Sequence, residues 1–142
     1  MKEVNVIYWS STGNTQAMAE AVGAGVEEAG GKANVMEVSA ADVSMLKDAE
    51  SFALGASAMG DEELDAEMDD FVTAVEGICA GKTVGLFGSY DWGDGDWMRE
   101  WASRMEAAGA TVAGGEGVIA NNTPDEEALE NCRKLGETLA AV

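Results

Sequence analysis

The 142 residues include 27 Asp and Glu against 8 Lys and Arg, a formal net charge of −19, with no histidine and a hydrophobic fraction of 46%. That fraction supplies a core, so the acidity does not signal disorder, while the charge argues against nucleic-acid and anionic-membrane partners. The lack of histidine removes Ser-His-Asp hydrolases, HExxH metalloproteases, Cys₂His₂ zinc sites and histidine general bases.

The length fits one domain over 1–142, able to bury about 68% of its unfolded surface. No apolar run approaches membrane-spanning length, and Met1-Lys2-Glu3-Val4-Asn5 lacks a secretory apolar region, so the expected location is the cytoplasm. Self-repulsion at −19 favours a monomer. Cys79 and Cys132 form no CxxC pair and are expected as free, buried or half-buried thiols.

Val4 to Trp9 is a short apolar, β-branched and aromatic run that reads as a buried strand. A helix follows from Asn14 to Ala29, with Met18, Val22, Gly25, Val26 and Ala29 near helical spacing, stopped by Gly30-Gly31. Ala33 to Val38 reads as a less buried strand and Phe52 to Ala56 as a buried one. Leu64, Met68, Phe71, Val75 and Ile78 repeat at helical spacing, with an acidic outer face. Thr83 to Phe87 predicts a fourth strand, and Trp97, Met98, Trp101, Met105 and Ala108 a helix ended by Gly109. Thr111 to Ala113 and Val118 to Ala120 read as one strand interrupted by Gly114-Gly115-Glu116-Gly117. Thr123-Pro124-Asp125-Glu126 predicts a capping box with proline at the first helical position. Ala128, Cys132, Leu135, Leu139 and Val142 supply the last helix's buried face. The alternation implies right-handed crossovers: an α/β fold with a doubly wound, open five-stranded parallel sheet and helices on both faces.

Ligands of such sheets bind beyond the carboxyl ends of the strands, which selects the loops after Trp9, Ala56, Phe87 and Ala120. The first, Ser10-Ser11-Thr12-Gly13-Asn14-Thr15, leads straight into a helix. Backbone N–H groups and the helix dipole there attract an anion, most plausibly a phosphate, and hydroxyls add donors. With no Lys or Arg in the loop, the phosphate is held rather than transferred. An ordinary helix cap is the competing reading. Ser57-Ala58-Met59-Gly60-Asp61-Glu62-Glu63 and Gly88-Ser89-Tyr90-Asp91-Trp92-Gly93-Asp94-Gly95 add a thioether, aromatics, glycines and carboxylates. Met59 and Trp92 suit the two faces of a planar apolar ring, and Glu62 an acceptor for a ring N–H. Trp92 equally suits a core aromatic under its own loop.

Tyr8 to Thr15, Ala58 to Glu62 and Leu86 to Gly95, in this order and spacing, resemble a short-chain bacterial flavodoxin along essentially the whole chain. The resemblance implies sheet order 2-1-3-4-5, bound FMN and a soluble carrier of low-potential electrons, cycling mainly between semiquinone and hydroquinone. It implies that Ser10, Thr12, Asn14 and Thr15, with backbone at Ser11 and Gly13, hold the FMN phosphate. Met59 is implied on the inner flavin face and Trp92 on the outer, with Ala58, Ser89, Tyr90 and Gly93 in the same loops. The Gly60–Asp61 peptide is implied to flip on reduction, so that its carbonyl accepts from flavin N5–H. Glu62 is implied at flavin N3, and Ser57 and Asn122 at ribityl or ring contacts. Two positions depart from the family: Ser11 and Asp91 stand where relatives carry glycine. Asp61, Glu62, Asp91 and Asp94 near the ring would oppose an anionic reduced flavin and lower the second-step potential.

Seven carboxylates among residues 61–70 suggest either a solvated face or steering toward basic patches on redox partners. The competing function is a small FMN-dependent NAD(P)H or quinone reductase, although no nucleotide fingerprint or basic residue lies near these loops. A response regulator lacks its strand-three aspartate, a low-molecular-weight phosphatase its loop cysteine, and an EF-hand its spacing.

Overall fold

The computed structural model describes residues 3–10, 13–58, 64–90 and 95–142. Strand β1 is Glu3–Trp9, helix α1 Asn14–Glu28, β2 Lys32–Glu37, β3 Ser51–Ala56, α2 Ala66–Glu76, β4 Thr83–Tyr90, α3 Asp96–Ala107, β5 Thr111–Val112, β6 Val118–Asn121 and α4 Glu126–Ala140. Two 3-10 turns, Val38–Ala40 and Val43–Leu46, fill the β2–β3 crossover. Every strand pairing is parallel, in the order β2-β1-β3-β4-β5, with β6 also paired to β4.

The sheet is covered on both faces, and the strand residues alternate between two cores. Ile7, Phe52, Leu54, Val84 and Leu86 pack with Met68, Val72 and Val75 of α2 and Trp97, Trp101 and Met105 of α3. Val4, Val6, Tyr8, Ala53 and Phe87 pack with Met18, Val22 and Val26 of α1 and Cys132, Leu135 and Leu139 of α4. All six residues of β3 are buried, as its position between β1 and β4 requires. Strand β2, at the edge, alternates between exposed and half-buried residues. Both cysteines are buried and free.

Helices α1 and α4 touch backbone to backbone. A Cβ on Gly136 would fall 2.0 Å from the Val22 carbonyl oxygen and 2.8 Å from Val26 N, and one on Gly25 would fall 1.9 Å from the Arg133 carbonyl oxygen. Glycine at both points is what allows the contact. On the opposite face, Arg104 of α3 reaches Asp69, Thr73 and Glu76, which share one side of α2. Burial works against its charge, but the bonds to Asp69 and Glu76 outweigh that and raise its pKa.

Several element ends differ from the sequence expectation. Gly88, Ser89 and Tyr90 read as loop residues but extend β4, because β6 pairs with them and holds them extended. The interrupted last strand is two strands, β5 against the start of β4 and β6 against its end. The α4 cap is Asp125, whose carboxylate accepts from Ala128 N, so Pro124 precedes the cap instead of opening the helix. Ala29 and Val142, expected on buried stripes, are exposed, because both lie past the last turn of their helices. Leu64 and Ile78 flank α2 as half-buried residues packed against the core, and Val72 is a fully buried member the spacing did not select.

Candidate functional site

Parallel strands point all their carboxyl ends the same way, so the chain segments leaving β1, β3, β4 and β6 gather at one edge. The order changes direction at β1, which lies between β2 and β3. Helix α1 begins there, and Gly13 caps it in the left-handed region, φ 93, where a side chain is disfavoured. Its N–H donates to Ser10 Oγ at 3.0 Å. A Cβ built on Gly13 meets nothing within 4 Å, so backbone conformation, not crowding, selects glycine.

Among the described residues, α1 differs from the other helices at this end. Asp65 caps α2 and Asp125 caps α4 through their carboxylates, and α3 carries Asp96 in its first turn. Helix α1 has neither a side-chain cap bond nor a first-turn acid. In a chain with 27 carboxylates, the positive end of this one dipole is left without a negative charge of its own.

Beside it lies a buried hydroxyl cluster drawn from three segments. Thr15 Oγ1, in the first turn of α1, is 2.7 Å from Ser57 Oγ and 3.1 Å from Ser89 Oγ, and the two serine oxygens are 3.4 Å apart. Ser89 N–H donates to Thr15 Oγ1 at 3.3 Å. The three residues are 0%, 5% and 4% exposed. Ala58 N–H donates to the Ser89 carbonyl at 2.9 Å, which binds the β3 exit to the end of β4. Hydroxyls rotate at little cost, so the same three groups can bond to one another or turn toward an acceptor. Neutral donors around an uncapped helix N-terminus suit a phosphate, and this donor set fits the phosphate end of FMN.

At the far side, Tyr90 ends β4. Its ring lies 5.5 Å from that of Trp97, tilted by 52°. Its carbonyl accepts from Asn122 N–H at 2.6 Å and stands 3.5 Å from Asn121 Nδ2. Asn122 donates its side-chain amide to Asn121 Oδ1 at 3.3 Å.

The structure therefore brings together Ser10, Gly13, Asn14, Thr15, Ser57, Ala58, Ser89 and Tyr90 at one sheet edge, with Asn122 beside Tyr90. Ser11, Thr12, Met59, Gly60, Asp61, Glu62, Asp91, Trp92 and Gly93 lie outside the described residues, as does Asp94. Asn121, which the sequence placed just past a strand, instead ends β6 as the ladder partner of Tyr90. Of the acidic run, Asp65 is a helix cap and Asp69 an ion-pair partner of Arg104, while Glu67 and Asp70 are exposed. Among the described residues no group of acidic or cysteine side chains could hold a metal ion, and no helix is long and apolar enough to cross a membrane.

Comparison with known proteins agrees along the chain. Residues 6–136 match the family model for flavodoxin. The flavodoxin of Clostridium beijerinckii is 40% identical over 140 residues, covering 98% of this chain and all of that protein. The flavodoxin of Megasphaera elsdenii is 42% identical over 138 residues, covering 96% of this chain and 98% of that protein. The solved structure of the two-electron reduced Megasphaera elsdenii flavodoxin superposes with a TM-score of 0.90 at 41% identity, over 98% of this chain and 99% of that one.

Proposed function

The chain belongs to the flavodoxin family, whose members bind FMN and carry electrons rather than turn over substrates of their own, and from that premise we propose how its residues hold the cofactor and meet partners. It is a small FMN-binding electron-transfer protein. When bound, FMN supplies the one-electron chemistry, and the protein supplies binding, orientation and electrostatics.

The phosphate end is assigned to Ser10, Ser11, Thr12, Gly13, Asn14 and Thr15, with the Ser57 and Ser89 hydroxyls as its floor. The observation that carries this assignment is the buried Thr15–Ser57–Ser89 cluster beside the uncapped α1 N-terminus. No cation is needed there: hydrogen bonds and a helix dipole hold the phosphate, and the surrounding negative charge stays unneutralised. The ring end is assigned to Ala58, Met59, Gly60, Asp61 and Glu62 on one side and to Tyr90, Asp91, Trp92 and Gly93 on the other. Asp61, Glu62, Asp91 and Asp94 then disfavour added negative charge on the ring, which makes the reduced cofactor a stronger reductant.

Redox partner proteins follow from electron transfer, and we assign them basic docking patches that meet the acidic surface around Glu67 and Asp70. The protein is read as a cytoplasmic monomer. A hydride-accepting reductase is the disfavoured reading, since the relatives are carriers.

The test is addition of FMN and of riboflavin to the flavin-free protein, followed by stepwise chemical reduction in the visible range. The expected result is stoichiometric FMN uptake, weaker riboflavin binding and reduction in two resolved one-electron steps. Failure to take up FMN would refute the site. Rapid bleaching by NADPH alone would move the protein to the reductase class.

A further inference from the structure

Strand β4 changes neighbours at Gly88. Its ladder with β3 ends at the Gly55–Phe87 pair, while its ladder with β6 runs on through Gly88–Ile119 to Tyr90–Asn121. One residue past the last β3 pair, the Ala56 carbonyl lies directly against Gly88. A Cβ on Gly88 would fall 2.0 Å from that oxygen and 3.1 Å from its carbon, with the Trp97 ring 3.2 Å away. Gly88 has no positive φ, so closeness of approach, and not backbone conformation, requires glycine here.

This crowding reaches the hydroxyl cluster through covalent geometry. The Ala56 carbonyl and the Ser57 nitrogen share one planar peptide unit and move together. Ser57 Oγ lies 2.7 Å from Thr15 Oγ1 and 3.4 Å from Ser89 Oγ. Ser89 directly follows Gly88, and its carbonyl accepts from Ala58 N–H at 2.9 Å. The exit of β3 therefore crosses the end of β4 at contact distance, and Ser57 joins the cluster from within that crossing.

We propose that Gly88 is a positioning residue for the phosphate end: its bare Cα lets the Ala56 carbonyl seat against β4, and so sets Ser57 within hydrogen-bond reach of Thr15 and Ser89. This rests on the assignment of the cluster to the FMN phosphate. A methyl group at position 88 has little room to escape on the β4 side. Ile119 pairs with Gly88 on the other edge, and the buried Trp97 ring closes the approach. The Ala56 peptide must retreat by about 1 Å to restore ordinary contact. A displacement of that size is enough to carry the 2.7 Å Ser57–Thr15 contact beyond hydrogen-bond range.

The test measures dissociation constants for FMN and for riboflavin, and the melting temperature of the flavin-free protein, in Gly88→Ala, Ser57→Ala, the double variant and Gly55→Ala. G88A is expected to lose about tenfold more affinity for FMN than for riboflavin. In the S57A background the same substitution should leave the ratio of the two affinities unchanged, because it acts through the hydroxyl already removed. Gly55 is the control for strain alone: its Cβ would fall 2.0 Å from the Phe87 ring, a side chain one residue pair earlier. G55A should lower the melting temperature and keep the wild-type ratio. Equal weakening of both flavins in G88A, or a lowered melting temperature with both affinities intact, would reduce Gly88 to a structural residue and overturn the proposal. A shift in the ratio that persists in the S57A background, or that G55A reproduces, would overturn it as well. Should G88A not fold, S57A decides: a tenfold selective loss of FMN keeps the proposal, and an unchanged ratio refutes it. Wild-type protein that takes up neither flavin would instead sink the FMN assignment itself, and the proposal with it.

Discussion

Thr15→Val keeps the branched shape of the side chain and removes its hydroxyl. In the wild type that oxygen accepts the Ser89 N–H at 3.3 Å and lies 2.7 and 3.1 Å from two serine oxygens, in a residue with no exposure. Taking away a buried acceptor costs the fold about 1–3 kcal/mol. The loss is cushioned because Ser57 and Ser89, 3.4 Å apart, still bond each other. Cofactor binding loses a separate quantity. A hydrogen bond from a hydroxyl to a charged group contributes about 1.5–3 kcal/mol, which corresponds to a 10- to 100-fold change in FMN affinity. Riboflavin lacks the phosphate and should bind the variant as it binds the wild type. The assay is titration of flavin-free protein with each flavin, read by quenching of flavin fluorescence, beside a urea unfolding curve. Equal weakening of FMN and riboflavin, or undiminished FMN affinity, would refute the placement of phosphate at this cluster.

Gly136→Ala gains about 1 kcal/mol of helix propensity, but its Cβ would sit 2.0 Å from the Val22 carbonyl oxygen. The helices must separate, so a net loss of about 1–3 kcal/mol is expected in urea unfolding. Gly23→Ala, whose nearest neighbours are the Val35 and Ala33 side chains, should cost much less, and equal stabilities would show that the α1–α4 contact is slack. Arg104→Met removes the bonds to Asp69, Thr73 and Glu76. A loss of about 1 kcal/mol that shrinks with added salt is expected, and a salt-independent loss would point to packing instead. Burial raises the Cys132 thiol from 9.0 to about 12. Above pH 9 the unfolded chain therefore sheds a proton that the fold retains. Stability should fall by about 1.4 kcal/mol per pH unit up to about pH 12, and an equal slope in Cys132→Ala would refute that source.

What could be read from the chain alone was what depends on neighbours in sequence. The buried strands announce themselves as apolar runs, and α2 as a spacing of Met68 and Val75. The proposed phosphate loop was nominated because a hydroxyl-rich segment stands between a strand and a helix in the sequence. Gly88, Ser89 and Tyr90 show the opposite case, since they look like a loop and become strand only through pairing with β6, about 30 residues away. Thr15, Ser57 and Ser89 could each be nominated from their own loops, but their meeting spans 42 and 74 positions and has no local signature. Arg104 is similar: Asp69, Thr73 and Glu76 share a helix face, yet nothing in that face names its partner. The start of α4 reads two residues early, with Thr123 in a capping box and Pro124 opening the helix, whereas Asp125 is the cap. The structure takes the carboxylate.

The hydroxyl cluster also sets an order of events. If the site is as proposed, a nascent chain that has reached Thr15 still lacks its partner hydroxyls, since the cluster gains Ser57 later and is complete only when Ser89 is in place on β4. Contacts of such separation form with the sheet rather than ahead of it. Cofactor capture is therefore a report on completed tertiary structure, and a ligand that recognises only that state adds its binding free energy to the whole fold. Cells short of flavin would hold this protein in a less stable form, more open to proteolysis, so its abundance would follow the supply of its cofactor without any dedicated regulator.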